Sequence, residues 1–224
     1  FIQNYIKLIP SIQLNIENIK KSSPNFNLIL VSFLFASGPL IFIGAISDPA
    51  NFTVVFASVT IIKALQVIYN PSIQKILPDL NEVKNLGINE IKVKISRGFF
   101  MGLLYSLSCI IFILLFADLI VNIVYSKDYF GIQNGLKIFS MSVIPGIYST
   151  IISTQLSVFF NFIKTATLVT LASAIALFLI ILVSFNFDLI SNEIFLYTLV
   201  AFEYIQALFL TLFLFKKVKN YSNA

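Results

Sequence analysis

The stretch Phe99 to Tyr125, FFMGLLYSLSCIIFILLFADLIVNIVY, decides the fold class of this chain. Its 27 residues contain one charged side chain, Asp118. A helix of that length reaches about 40 Å, more than the roughly 30 Å of hydrocarbon in a bilayer. The stretch therefore predicts a transmembrane helix. The whole chain agrees, because 11% of its residues are charged, 58% are hydrophobic and its mean hydropathy is +0.93, whereas soluble domains carry about a quarter charged residues.

Five further apolar stretches qualify as spans, so we expect an all-α, polytopic membrane protein with a bundle of six transmembrane helices. Turn-forming or charged residues bound each stretch. The predicted spans are 27–46, 52–69, 99–125, 138–163, 166–185 and 194–215.

These spans predict three parts of the chain. Residues 1–23 form a cytosolic linker, the end of a preceding helix or a free-standing interfacial helix, 24–217 form the transmembrane bundle, and 218–224 form a cytosolic tail. Between spans two and three, residues 81–97 mix apolar and charged side chains, which predicts a short interfacial segment.

Basic residues gather on one side of the predicted spans. With the N-terminus inside, 12 of the 15 Lys and Arg lie on the cytoplasmic side, Lys127 and Lys137 lie outside, and Lys63 lies within a span. Because basic loops are retained in the cytoplasm, we expect both termini to be cytoplasmic. The net charge of +5 does not indicate nucleic-acid binding, which needs a clustered basic face with stacking aromatics.

Enzymatic signatures are missing from the sequence. One cysteine, Cys109, and no histidine exclude a disulfide framework and the usual zinc sets. There is no Gly-rich phosphate loop, no nucleophile elbow and no close pair of acids. We therefore expect no catalytic residue, no metal and no cofactor.

Ionisable residues inside spans are the first candidates for function. Lys63 shares one helical face with Thr53, Thr60, Gln66 and Asn70. Such a face predicts the lining of a wet cavity. Alternatively, Lys63 is a paired structural charge or reaches to the membrane interface.

Two acids accompany Lys63 in the predicted spans. Glu203, with Gln206 nearly one turn later, is a candidate counter-ion for Lys63, a proton carrier, a cation site or half of a structural pair. Asp118 lies near the outer end of span three, where a solvated or capping role competes with ion coupling.

Span four carries a stripe of small and polar residues. This stripe predicts either close helix packing or a hydroxyl-lined passage. Pro145-Gly146 in this span and Gly38-Pro39 in span one are candidate kinks. The stripe comprises Ser142, Gly146, Ser149, Thr150, Ser153, Ser157 and Asn161.

The order of these features resembles the C-terminal half of bacterial oligosaccharide flippases of the multidrug-and-toxin-extrusion-like superfamily. The resemblance covers approximately residues 20–185. Ser126 stands where a glycine is typical, and the stretch before span six lacks the expected glycine-rich turn. The stretches that carry it are Ser22-Ser23-Pro24, Phe42 to Ile46, Phe56 to Lys63, Pro71 to Pro78, Ala117 to Tyr129, Leu136 to Ile138 and Phe160 to Lys164.

The resemblance implies half of a transporter of twelve to fourteen helices in the bacterial inner membrane. Such a transporter moves undecaprenyl-pyrophosphate-linked oligosaccharide to the outer face, with membrane lipid and its own N-terminal half as partners. Lys63 would meet the pyrophosphate, with Thr60, Gln66 and Asn70 beside it, and Glu203 is a candidate for ion coupling.

Three other functions compete with this expectation. A multidrug or cation-coupled exporter of the same fold would use acids rather than a lysine in its cavity. An enzyme of envelope-polymer assembly would need a large outer loop, whereas all outer turns here are short. A permease or structural subunit is the third, because helix count and charge bias are shared by many membrane proteins.

Overall fold

The structure, a computed structural model, describes residues 12–125, 131–186 and 191–221, and these residues form helices joined by short turns, with no strand among them. The turn predicted at 126–128 lies outside the described residues. The helices are α1 Ile12–Ile46, α2 Pro49–Ile68, α3 Asn70–Gln74, α4 Ile76–Val83, α5 Ile88–Val124, α6 Ile132–Ser140, α7 Val143–Thr150, the π-helical segment π1 Ile151–Leu156, α8 Ser157–Phe159, α9 Ile163–Asn186 and α10 Asn192–Tyr221.

Five of the described helical stretches are long and apolar enough to cross a membrane, or six if a bent pair crosses as one span. The bent pair joins Ile132–Ser140 to Val143–Phe159 at an angle of 45°. The prediction of an all-helical chain with long apolar helices is confirmed. The five stretches are Ser23–Ile46, Pro49–Val83, Ile88–Val124, Ile163–Phe185 and Asn192–Tyr221.

Helix ends differ from the predicted boundaries. α1 continues through Pro24 and Pro39 without a break, and α10 continues to Tyr221. Residues 88–97, predicted as part of a separate interfacial segment, are instead the first turns of α5. The chain breaks between α4 and α5 at Gly87, whose φ of 114° glycine adopts readily and other residues adopt only with strain. Gly98, which directly precedes the apolar run, lies within α5 and has no positive φ, so the helix continues through it.

Close helix contacts occur at glycines. A Cβ on Gly38 in α1 would lie 2.6 Å from the Phe178 ring of α9, and one on Gly44 would lie 2.9 Å from Phe52. Phe42 meets the Phe178 ring edge-on at 6.5 Å between centroids. α1 therefore packs mainly on α9. α10 contacts α6, α7 and α9, while α2 packs against α6.

The two ends of the bundle differ in charge. At one end Asn192 donates a hydrogen bond to Asn51 at 2.6 Å, which joins the starts of α10 and α2. At the other end the rings of Phe160 and Tyr221 lie 5.6 Å apart. We call the latter the basic end, because nine Lys and Arg lie there among the described residues against three acids, Asp79, Glu82 and Glu90. The nine are Lys75, Lys84, Lys92, Lys94, Arg97, Lys164, Lys216, Lys217 and Lys219.

The predicted fourth span is not a regular α-helix. It bends at Met141 and Ser142, where Pro145 has no N–H to donate to the Met141 carbonyl. Its middle is the π-helical segment π1, and it ends at Asn161, whose φ is 53°. The kink predicted at Pro145-Gly146 is thus present, one turn earlier. Asn161, predicted as part of the polar stripe, lies instead in the turn that ends this span.

Candidate functional site

An ion pair lies in the middle of the bundle. α2 carries Lys63 and α10 carries Glu203, and the Lys63 Nζ atom lies 2.5 Å from Glu203 Oε1. The side chain of Glu203 is 8% exposed and that of Lys63 is 31% exposed. The ammonium group also lies 5.7 Å from the centroid of the Phe139 ring, within the range of a cation–π interaction. Of the roles considered for Glu203, the structure forms the counter-ion arrangement.

Glu203 has an unsatisfied oxygen. Its Oε2 atom is buried and has no hydrogen-bond partner among the described residues. Buried carboxylate oxygens almost always have such partners, because burying one without compensation is costly. Glu203 Oε2 can therefore accept a hydrogen bond or hold a cation.

The ion pair borders a cavity of about 130 Å³. α1 contributes Ser32, Phe35 and Ala36 to its wall. The cavity exceeds the roughly 10–15 Å³ that a cavity needs to hold a water, but it is smaller than the roughly 300 Å³ of ordinary ligand pockets. It can therefore take a small polar group. The polar side chains facing it from other helices are Lys63, Gln66, Ser149, Thr150, Ser153, Glu203 and Gln206.

The cavity wall is rich in hydrogen-bond acceptors. The Ser149 and Thr150 hydroxyls both donate to the Gly146 carbonyl, at 3.1 and 2.7 Å, and Ser153 donates to Thr150 O at 3.4 Å. Because each hydroxyl has one hydrogen, these groups can offer mainly lone pairs to the cavity. Lys63 is the charged donor in this wall. The lining therefore suits a cation, or hydroxyl groups of a ligand, whenever Lys63 stays paired.

Two amides fix the surrounding helices. Gln66 Nε2 donates to the Ser142 carbonyl at the bend, at 3.0 Å, and Gln206 Nε2 donates to Thr170 Oγ1 of α9, also at 3.0 Å. Gly146 makes the first contact possible, since a Cβ there would lie 2.8 Å from Gln66 Cδ. The bend in span four is thus held by a side chain of α2.

Of the residues predicted for the site, the structure brings Lys63, Gln66 and Glu203 together. Thr60 is exposed on α2 and lies outside the cavity wall, and Asn70 starts α3 beyond the helix break at Tyr69. Asp118 is exposed on α5. These three residues do not contribute to the cavity.

Sequence reasoning missed the contributions of α1 and α6. Phe35, Ala36 and Phe139 are apolar, so nothing in their type marks them as neighbours of a charge pair. Among the described residues, Ser32 is the one polar residue of α1 in the cavity wall, and its position within an apolar run was a weak indication that it faces other polar groups. In the part of the chain that the structure describes, no group of three His, Cys, Asp or Glu residues could hold a metal ion.

The class of protein follows from the fold and the site together. The chain has the length, composition and helix pattern of a multi-pass membrane protein, with an ion pair and a polar cavity at the centre of its bundle. Comparisons with models of protein families, with curated proteins and with solved structures found no match.

Proposed function

We propose that this chain helps to carry undecaprenyl-pyrophosphate-linked oligosaccharide across the bacterial inner membrane in polysaccharide biosynthesis, as part of a flippase without catalytic activity. One observation carries the proposal: the Lys63–Glu203 pair lies beside a polar cavity within long apolar helices. Charges are costly inside a membrane, and where they occur they commonly mark a substrate or ion pathway.

The proposed mechanism is an exchange of partners at Lys63. In the described state Lys63 is neutralised by Glu203. A proton or cation taken up by Glu203 would release the ammonium group, which could then bind a pyrophosphate oxygen in a charge-assisted hydrogen bond. Glu203 Oε2 supports this step, because it has no hydrogen-bond partner among the described residues and its lone pairs can accept that proton or cation. Substrate binding and ion uptake would thereby be coupled.

The size of the cavity limits which part of the substrate enters it. Its volume of about 130 Å³ admits a phosphate group and excludes an oligosaccharide, and the phosphate would need Lys63, once released from Glu203, as its charged donor. We propose that the glycan occupies a larger space between this bundle and an N-terminal half of the transporter. The partial exposure of the Lys63 side chain, 31%, supports this arrangement, since the residue lies at the edge of the packed bundle and not deep inside it.

The proposed orientation places the basic end in the cytoplasm, with both chain termini on that side. The charges described above support it. Nine Lys and Arg lie at the basic end, whereas Lys137 lies in α6, whose first residues are at the opposite end of the bundle. Retention of basic segments in the cytoplasm would fix this direction.

A cation-coupled exporter of the same fold is the second candidate function. The acceptor-rich cavity wall and the unsatisfied Glu203 oxygen favour it, because both suit a cationic ligand. Lys63 opposes it, since a fixed positive charge repels a cationic drug unless Glu203 remains its partner.

Deletion of the parent gene in its host distinguishes the two functions. The readouts are surface glycan, lipid-linked oligosaccharide on the inner face and drug sensitivity. Loss of surface glycan with accumulation on the inner face supports the flippase. Normal glycan with raised drug sensitivity supports the exporter, and no change in any readout contradicts both.

A further inference from the structure

A second concave surface lies at the basic end, away from the Lys63 cavity. The first turns of α5 and the last turns of α10 border a groove of about 660 Å³. Its size falls within the roughly 300–1,000 Å³ of pockets that bind small molecules. Its wall is mostly apolar, with Ile95, Phe99, Leu214 and Phe215, and two lysines, Lys92 and Lys219, also line it. The groove shares no lining residue with the central cavity.

Helix lengths place this groove at the membrane surface. α5 has 37 residues, which gives about 55 Å, whereas the hydrocarbon core is roughly 30 Å thick. The uninterrupted apolar run of α5 begins at Phe99, and Lys92, Lys94 and Arg97 precede it. The first turns of α5 therefore lie at headgroup level. Within the groove, Lys92 therefore lies at the level of the lipid headgroups, and Phe99 lies where the acyl chains begin.

We propose that this groove is a binding site for an anionic phospholipid of the surrounding leaflet. The lipid phosphate would lie between Lys92 and Lys219, and an acyl chain would follow Phe99 and Leu214 into the membrane. Charge complementarity selects this occupant. Two lysines at one end of a mostly apolar groove match an amphiphile with a negative head. Basic pockets between membrane helices at this level bind such headgroups.

Other occupants fit the groove less well. An apolar helix of a partner protein would offer no anionic group to Lys92 at the end of the groove. A soluble anion would leave the aromatic and aliphatic wall uncovered. The proposal is independent of the transport function, because it rests on the wall of this groove and on helix length alone.

Lipid retention tests the site directly. The protein, purified with its full native chain, would be exchanged into bilayers of phosphatidylglycerol and phosphatidylcholine, and retained lipid measured by native mass spectrometry. Lys92→Gln/Lys219→Gln should lower the preference for phosphatidylglycerol about tenfold more than the control variant does. Both variants lose the general surface attraction of roughly 1 kcal/mol per lysine, but the groove variant also loses the charge-assisted contact with the phosphate. The matched control is Lys216→Gln/Lys217→Gln, which removes the same charge from exposed residues of the same helix end that do not line the groove.

A steric variant tests the apolar part of the groove separately. Thr211 also lines the groove, so Thr211→Phe should reduce retention of phosphatidylglycerol with both lysines present. Three results would overturn the proposal: equal losses in the groove and control variants, no preference for phosphatidylglycerol in the parent protein, or displacement of the lipid by inorganic phosphate at constant ionic strength. The last result would identify a soluble-anion site.

Discussion

The ammonium group of Lys63 lies 2.5 Å from Oε1 of Glu203, although the two residues are 140 positions apart in the chain. The contact joins the second and the last long helix across the centre of the bundle. The low dielectric inside the bundle strengthens the attraction between the two charges and raises the penalty for leaving either one unpaired. Removal of one residue therefore destabilises the charged form of the other.

Replacement of Lys63 tests its role in transport. Lys63→Gln should abolish surface glycan at normal protein level, because an amide can still hydrogen-bond Glu203 but offers no positive charge to pyrophosphate. Lys63→Arg should retain partial activity. The measurement is surface glycan in a deletion strain complemented with each variant. Lys164→Gln, a loss of the same charge at an exposed position of α9, is the control, and glycan unchanged in Lys63→Gln would rule out the proposed role.

A double-mutant cycle measures the ion pair as a structural element. Lys63→Met should destabilise the fold by about 3 kcal/mol, because it leaves a buried carboxylate without compensation. Glu203→Leu should cost less, about 1 kcal/mol, since the Lys63 side chain is less buried than that of Glu203 and its unpaired charge is less desolvated. The double variant should be close to the parent. Unfolding of each variant in detergent gives the values, and additive effects within about 0.5 kcal/mol would show that the pair is not coupled.

Gly146→Ala tests the contact that holds the bend in span four. The added methyl group would lie 2.8 Å from Gln66 Cδ, so Gln66 must leave the Ser142 carbonyl, at a cost of about 2 kcal/mol. The measurement is again the free energy of unfolding.

A matched glycine provides the control for this variant. At Gly98 an added Cβ would lie 3.1 Å from Cδ1 of Ile76, the tip of a flexible side chain. Gly98→Ala should therefore change stability by less than about 0.5 kcal/mol. Gly146→Ala/Gln66→Ala should recover part of the loss. A large effect at Gly98 and none at Gly146 would contradict this account.

Thiol labelling tests the orientation of the bundle. In a Cys109→Ala background, which removes the single cysteine of the sequence, Lys84→Cys reports on the basic end and Glu193→Cys on the opposite end; both residues are exposed. A reagent that cannot cross membranes should label position 193 in intact cells and position 84 in lysed cells alone. The reverse pattern would place the basic end outside.

The sequence was sufficient for the long helices, because an apolar run of membrane length has few alternative structures. The predicted stretch 99–125 lies almost wholly within α5, and 166–185 lies within α9. Their ends were less predictable. Residues Ser23 to Asn25 contain good turn formers, yet α1 passes through them, since a proline can be accommodated where neighbours re-satisfy the freed carbonyl.

The site was predictable in part, and the limit is geometric. Thr60 and Gln66 lie on either side of Lys63 on the helical wheel, each about 60° away. Lys63 is at the rim of the buried face, with 31% of its side chain exposed, so Gln66 turns inward and Thr60 turns outward. Periodicity defines a face but not which edge of it meets the neighbours. The contributions of Phe35 and Phe139 depend on packing between distant helices.

The π-helical segment Ile151–Leu156 is a position at which the chain can lose one residue without shifting the residues that follow it. A turn with i→i+5 hydrogen bonds contains about one residue more than an α-helical turn. Loss of one residue there could be met by reversion to α-helical bonding, which would leave the following turn at Asn161 in register. The same deletion within α5 would rotate all later side chains by about 100°. Tolerance to deletion in this bundle therefore depends on the type of backbone turn and not on exposure alone.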